Sequence, residues 1–246
     1  MLKTTKENTM KAPIIDAVFD IWFESKIPSE ALLGIIVENI ESYKEIRSLP
    51  LLQLPKDIRL MDPNLKHQAL YEILSTDKPY KIVLGHNSLG IALNGEYQGW
   101  NESFFPEIKN LYEKIFNKGL IEKITRCGLR YVDFFQDQNI YEIGKVSVLI
   151  NKNDVTDPTQ KILLRIEKEI DDNIAMAVVI DNKAIVKKAP ENTEQNGSII
   201  DIASFVKNEE FLNEENFFDT VDQLHTVNKN YFKEVANDEL IKQLGI

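Results

Sequence analysis

The chain has 246 residues, 43% hydrophobic and 28% charged, and 29 Lys and Arg against 39 Asp and Glu leave a formal charge of −10. That length carries one large core or two small intertwined ones; a single cysteine, Cys127, excludes a disulfide scaffold and fits a reducing compartment. No run approaches the roughly 18 apolar residues of a membrane helix, and the acidic balance opposes the phosphate attraction on which nucleic-acid binding rests.

Residues 1–11 read as a disordered tail, polar and without the apolar run of an export signal, so a cytoplasmic chain is expected. From Ile14 to Phe23 the residues alternate as a long strand. Ile15, Ala17, Phe19, Ile21 and Phe23 form its apolar face, and Ile14, Asp16, Val18, Asp20 and Trp22 the mixed one. Ser29 is placed to cap a helix over Ala31 to Tyr43, in which Leu32, Leu33, Ile36, Val37 and Ile40 keep helical spacing. Arg47 to Asp62, with Pro50 and Pro55, reads as an extended connection. Gln68 to Ser75, Tyr80 to Gly85 and Ser88 to Leu93 then read as an antiparallel meander.

A second helix is expected to start at Ser103 as N-cap with Pro106 in its first turn, to bury Phe104, Ile108, Leu111 and Ile115, and to stop at Gly119. Ile121 to Phe135 is a long strand and Lys145 to Ile150 another. Lys161 to Ile170 and Ile174 to Ile180 form a hairpin about Asp171-Asp172-Asn173. Lys187 to Asn196 reads as an exposed loop, Gly197 to Val206 as the last strand, and Glu214 to Ala236 as the final helix. No β–α–β alternation is sustained, so the expected class is α+β: antiparallel sheets with three main helices. They divide into an N-terminal half (12–135) and a C-terminal meander-plus-helix half (140–246), which can pack as one domain.

No catalytic signature is present: no glycine-rich phosphate loop, no Gly-x-Ser-x-Gly, no Cys-x-x-Cys and no His-Glu-x-x-His. No catalytic residue, metal site or cofactor is therefore expected. His67, His86 and His225 are far apart, and only Asp222, three before His225, is set to share a helix face with a histidine. His225 and Asn228 interrupt the apolar stripe of the last helix. Such polar groups need partners, so they either tie the helix to a strand or line a pocket.

On the strand Ile121 to Phe135, Arg126 and Arg130 share a face with Gly128, Val132 and Phe134, opposite Cys127, Leu129, Tyr131, Asp133 and Phe135. If this strand neighbours the first, Arg126 and Arg130 form a ladder with Asp16 and Asp20; otherwise the two guanidiniums read an anion. Trp100, at a helix entrance, packs as a lid on a sheet edge or stacks on a ligand, and Cys127 reads as a small core residue. The stretch from Lys187 onward holds 6 basic and 12 acidic residues, so most of the net charge sits in this last quarter. Glu209, Glu210, Glu214, Glu215, Asp219 and Asp222 follow one another with no basic residue between them: a solvated face, or a surface for a basic partner protein.

Ala12-Pro13-Ile14-Ile15-Asp16-Ala17-Val18-Phe19-Asp20-Ile21 resembles the opening motif of a sporadically distributed bacterial family of about this length. So do Tyr97-x-Gly99-Trp100-x-x-x-Phe104, Leu129-Arg130-Tyr131-Val132-Asp133, Gly197-Ser198-Ile199-Ile200-Asp201-Ile202, and Leu224-His225 with Tyr231-Phe232. Asp16 stands where that family has Glu, and Asp133 where Asn is usual. The family has no established activity. Its scattered distribution implies mobile or accessory genes such as toxin–antitoxin or anti-phage defence cargo.

These readings lead first to a non-catalytic cytoplasmic interaction protein, antitoxin-like or a defence accessory subunit, that meets a basic protein partner and neither nucleic acid nor membrane. The second reading is a small-molecule or anion-binding domain whose pocket, between sheet and last helix, is lined by Arg130, Arg126, His225, Asp20, Trp100 and Asn228. The third is an enzyme using Asp20, Arg130 and His225.

Overall fold

The computed structural model describes residues 12–188 and 193–246; the expected tail over 1–11 lies outside them. The fold is α+β, built on one open antiparallel sheet of nine strands. In chain order these are β1 (Ile14–Glu24), β2 (Tyr43–Ser48), β3 (Ala69–Ser75), β4 (Tyr80–Gly85), β5 (Ser88–Leu93) and β6 (Lys123–Gln136), then β9 (Leu163–Glu169), β10 (Ile174–Lys188) and β11 (Thr193–Val206). Two short strands between them, β7 (Leu149–Ile150) and β8 (Asn153–Asp154), form a separate ribbon. Across the main sheet the order is β2-β3-β4-β5-β1-β6-β11-β10-β9. The two halves of the sequence thus meet where β6 pairs with β1 on one side and β11 on the other.

The alternation of β1 seats Ala17, Phe19, Ile21 and Phe23 in the core, but the apolar row does not begin at Ile15. A bulge pairs Ile14 with Asp133 and Asp16 with Val132, which leaves Ile15 44% exposed and hands its place to Ile14. The connection expected over 47–62 is more ordered than its prolines suggest: the first helix, α1 (Ser29–Asn39), ends early, Tyr43 opens β2, and α2 (Lys56–Met61) follows Pro55. The strand expected over 145–150 shrinks to Leu149–Ile150, while the loop expected over 187–196 is largely strand, since β10 runs to Lys188 and β11 starts at Thr193. Residues 189–192 lie outside the described part.

Helices cover one face of the sheet. α3 (Phe105–Phe116) buries Ile108, Leu111, Tyr112 and Ile115, and Gly119 follows it at φ +60°. α4 (Ile140–Ile143) is a single turn after β6; α5 (Phe217–Val235) lies along β6 and β11, and α6 (Asp238–Leu244), started by the Asn237 side chain accepting from Leu240 N–H, comes after it. Two hydrophobic cores result. The larger joins β1 and β3–β5 to α1, α3 and the first half of α5, including Ile174, Val206, Phe217, Val221 and Leu224 from the C-terminal half of the chain. The smaller gathers Phe135, Ile140, Met176, Val178, Ile180, Ile200, Ile202, Phe232, Val235 and Leu240 under the end of α5 and α6. No helix among the described residues is long and apolar enough to cross a membrane.

Candidate ligand-binding cleft

Between the two cores, under the middle of α5, lies a cleft of about 570 Å³. The bulge of β1 directs Ala12, Pro13 and Ile14 into it; β6 contributes Tyr131 and Asp133, and β11 contributes Ile202. From α5 come His225, Asn228, Lys229 and Phe232, and from the end of the chain Leu244 and Ile246. The remaining wall is the segment Tyr97–Glu102.

That segment is locally unusual. Gly99 sits at φ +104° with its missing Cβ pointing at the Glu102 side chain, and the Phe104 N–H reaches back five residues to the Gly99 carbonyl. Trp100–Phe104 is therefore one turn of π-helix leading into α3, and Ser103 does not cap that helix. Its hydroxyl accepts instead from the Tyr80 hydroxyl. The π turn holds the Trp100 indole between the Phe105 ring (5.0 Å between centroids) and the His225 imidazole (4.2 Å), nearly parallel to both. The indole Nε1–H is donated to Asp222 Oδ1 at 2.9 Å.

His225 Nδ1 in turn meets the Tyr131 hydroxyl at 3.2 Å, which lies 3.4 Å from the Tyr97 hydroxyl. Burial pulls the His225 pKa down to about 4, with Asp222 opposing and Lys229 assisting, so the imidazole is neutral near pH 7. Burial pushes Tyr97 up to about 12 and Tyr131 well above the usual range, so both phenols keep their protons. Asn228, 2% exposed, ties α5 to the sheet by donating Nδ2–H to the Leu129 carbonyl at 3.0 Å, and it lines the cleft as well. Its two expected roles, tether and lining, coincide. Asp133 is 5% exposed, and nothing among the described residues donates a hydrogen bond to its carboxyl. Burial first, then the charge of Asp201, pushes it up to about 7.

The sheet divides the expected site. Trp100, His225 and Asn228 line the helix-side cleft, whereas Asp20, Arg126 and Arg130 lie on the opposite face, beside a hollow of about 220 Å³. A single pocket lined by Arg130, His225, Trp100 and Asp20 does not form, because odd and even positions of one strand leave by opposite faces. β1 and β6 are neighbours, and the arginines have carboxylate partners. Arg130 donates Nε–H and Nη2–H to the two oxygens of Asp201, both at 2.8 Å, with Asp16 at 3.9 Å, and Arg126 donates to Asp20 at 3.3 Å. The ladder therefore includes Asp201 on β11, which alternation along two strands did not bring in. Arg126 also lies over the Trp22 ring, 4.7 Å from its centroid.

The histidines remain apart, with His67 stacked on Trp22 and the His86 ring near the Ser29 hydroxyl. No three metal-binding side chains converge among the described residues. Cys127 is fully buried, and burial holds its thiol protonated. Asp133, Tyr97 and Tyr131 are cleft residues that the sequence marked only within motifs and not as binding residues. The signals for Asp133 were an acid in the row Cys127, Leu129, Tyr131 and its place where the resembled family usually has Asn. Compared with known proteins, the chain matches no protein-family model and no curated protein.

Proposed function

We propose that this chain is a binding protein without catalysis of its own, and that the cleft between sheet and α5 takes a small molecule. The observation that carries the reading is the cleft itself: about 570 Å³ between two cores, with Tyr97, Trp100, Tyr131 and Phe232 among its lining residues and few charged groups. Three of its polar side chains are held by contacts within the protein, Trp100 by Asp222, Tyr131 by His225 and the Asn228 amide N–H by the Leu129 carbonyl, so much of the wall is set before a ligand arrives. Methyl-labelled protein screened by NMR against a library of apolar fragments tests it. Hits are expected to shift the methyls of Ile14, Ile202 and Leu244 while those of Ile82 and Ile91 stay put. A library without such a hit at millimolar concentration overturns the reading.

A second reading, an antitoxin-like or defence accessory subunit that docks on a basic protein, has its own support. Glu210, Glu214, Glu215 and Asp219 are exposed and make no ion pair among the described residues, whereas Glu209 is held by Lys123 and Asp222 by Trp100. The family resemblance adds gene context alone. Copurification from the native host tests it: a stoichiometric basic partner that is lost on Glu214→Lys with Glu215→Lys supports docking, and recovery of the chain alone overturns it.

A further inference from the structure

Asp133 is a buried acid in a cleft that offers it no donor. A buried polar group normally finds a partner inside the protein, and a carboxyl left without one is costly to ionise. The two arginines of its own strand cannot serve, since Arg126 and Arg130 sit on the other face of the sheet and are engaged by Asp20 and Asp201. Lys229 lines the same cleft, but it is exposed and makes no ion pair among the described residues. Near the carboxyl stand the Tyr97 and Tyr131 rings, 5.8 Å apart and edge to face, with the stacked Trp100 and His225 beyond. An acceptor of potential negative charge set among aromatic rings suits a cation that carries N–H donors, through a charge-assisted hydrogen bond and attraction to the ring faces.

We propose that the ligand of this cleft is an organic amine, an ammonium group on an apolar body, whose N–H groups donate to the Asp133 carboxylate while the body lies against Tyr97, Tyr131 and Phe232. The inference rests on the cleft being a small-molecule site, as proposed above. It selects against carboxylic acids, which would place two like charges together, and against neutral isosteres, which leave Asp133 without a counter-charge.

Ionisation of Asp133 then links binding to pH. The titratable groups around it are Asp201, from β11 across the sheet; Tyr131, on its own strand; Tyr97 and Glu102, from the π-turn wall; and His225 and Lys229, from α5. Tyr97 and Tyr131 stay protonated and His225 stays neutral through the neutral range, and Asp133 is the one raised into it. An alkylamine remains charged throughout. The amine binds the ionised acid, so its affinity rises with pH, by about tenfold between pH 6 and pH 8 for one group titrating near 7.

Calorimetry on the full chain with 4-phenylbutylamine, 4-phenylbutanol and 4-phenylbutyrate tests this. The amine is expected to bind at least about tenfold tighter than the alcohol at pH 8, to weaken about tenfold at pH 6, and to leave the butyrate weakest. Asp133→Asn should abolish the preference for amine over alcohol without weakening the alcohol. If that variant fails to fold, the pH profile of the unaltered protein discriminates on its own. Equal binding of amine and alcohol, or a flat pH profile, overturns the amine assignment and leaves the cleft reading intact. If none of the three binds, the amine assignment falls, and the methyl-shift screen decides separately whether the cleft reading falls with it.

Discussion

Trp100 and His225, 125 positions apart in sequence, lie flat on one another with 4.2 Å between ring centroids and 5° between planes. The pair joins the π turn before α3 to the middle of α5, and Asp222, one turn before His225 on α5, locks it by accepting the indole N–H. A polar pair on the last helix therefore works as a clamp on an indole. Asp222→Ala removes the acceptor and leaves Trp100 Nε1 without its partner. A loss of about 1 kcal/mol in urea unfolding is expected, modest because Asp222 is exposed and water can replace it. In a Trp22→Phe background Trp100 is the sole tryptophan, and its emission should move to the red. Unchanged emission and stability would mean that the clamp does not hold in solution.

Gly99 sets the entry to the same turn. At φ +104° a side chain is strained, and a Cβ there would lie 2.5 Å from Glu102 Oε2. Gly99→Ala is expected to cost about 1–3 kcal/mol and to disturb the cleft methyls of Ile14 and Ile202. Wild-type stability together with unmoved methyls would show that the turn tolerates ordinary backbone.

On the far face, Arg130 carries the bidentate contact with Asp201 and stands near Asp16. Arg130→Ala leaves two carboxylates facing each other across β6 without their cation. Arg130 is half-exposed, so the cost is expected to be about 0.5–1 kcal/mol in chemical denaturation. Ligand binding in the cleft should be unaffected, because the sheet lies between. A loss of ligand affinity with stability intact would instead place Arg130 in the binding site.

The sequence disclosed what depends on neighbours along the chain. Alternation in β1 and β6 assigned most side chains to the correct face, and the apolar stripe of α5 marked His225 and Asn228 as polar groups needing partners. It did not disclose what depends on register and strand order. Nothing local marks Ile15 as the bulged residue, because the bulge is set by the pairing of Ile14 with Asp133. The same long-range choice brings β11 beside β6 and so gives Arg130 its partner in Asp201. Arg130 and His225 could be set in one imagined pocket because a sequence does not state which face of the sheet the last helix covers. Asp133 was visible as an acid in an apolar row. Its lack of a donor follows only from where the two arginines of its strand point.

Asp133 and His225 share the cleft and titrate in opposing senses, which yields a prediction for stability. The Asp133 acid ordinarily titrates at 3.8 and does so at about 7 in the fold. Between those values the folded chain holds a proton that the unfolded chain has released, so the stability contributed by Asp133 is complete below pH 4 and is lost as the pH rises to 7. His225 falls from 6.5 to about 4, so its contribution is present above pH 6.5 and is lost as the pH falls toward 4. Over the shared window of about pH 4–6.5 the proton that Asp133 releases on unfolding is matched by the one that His225 takes up, and wild-type stability is buffered. Asp133→Asn removes one side of the balance. At pH 8 the variant is expected to exceed wild type by roughly 2–4 kcal/mol, the cost of ionising the buried acid. That advantage should shrink by up to about 1.4 kcal/mol per pH unit on acidification below 7 and vanish near pH 4, where the neutral acid and the amide are equivalent. Urea denaturation of both proteins at pH 4, 5, 6, 7 and 8 measures the difference directly, with His225→Gln alongside to flatten the acid limb of the variant. Parallel pH profiles for wild type and Asp133→Asn would show that Asp133 is ionised in the fold at ordinary pH, and would require a donor to its carboxyl.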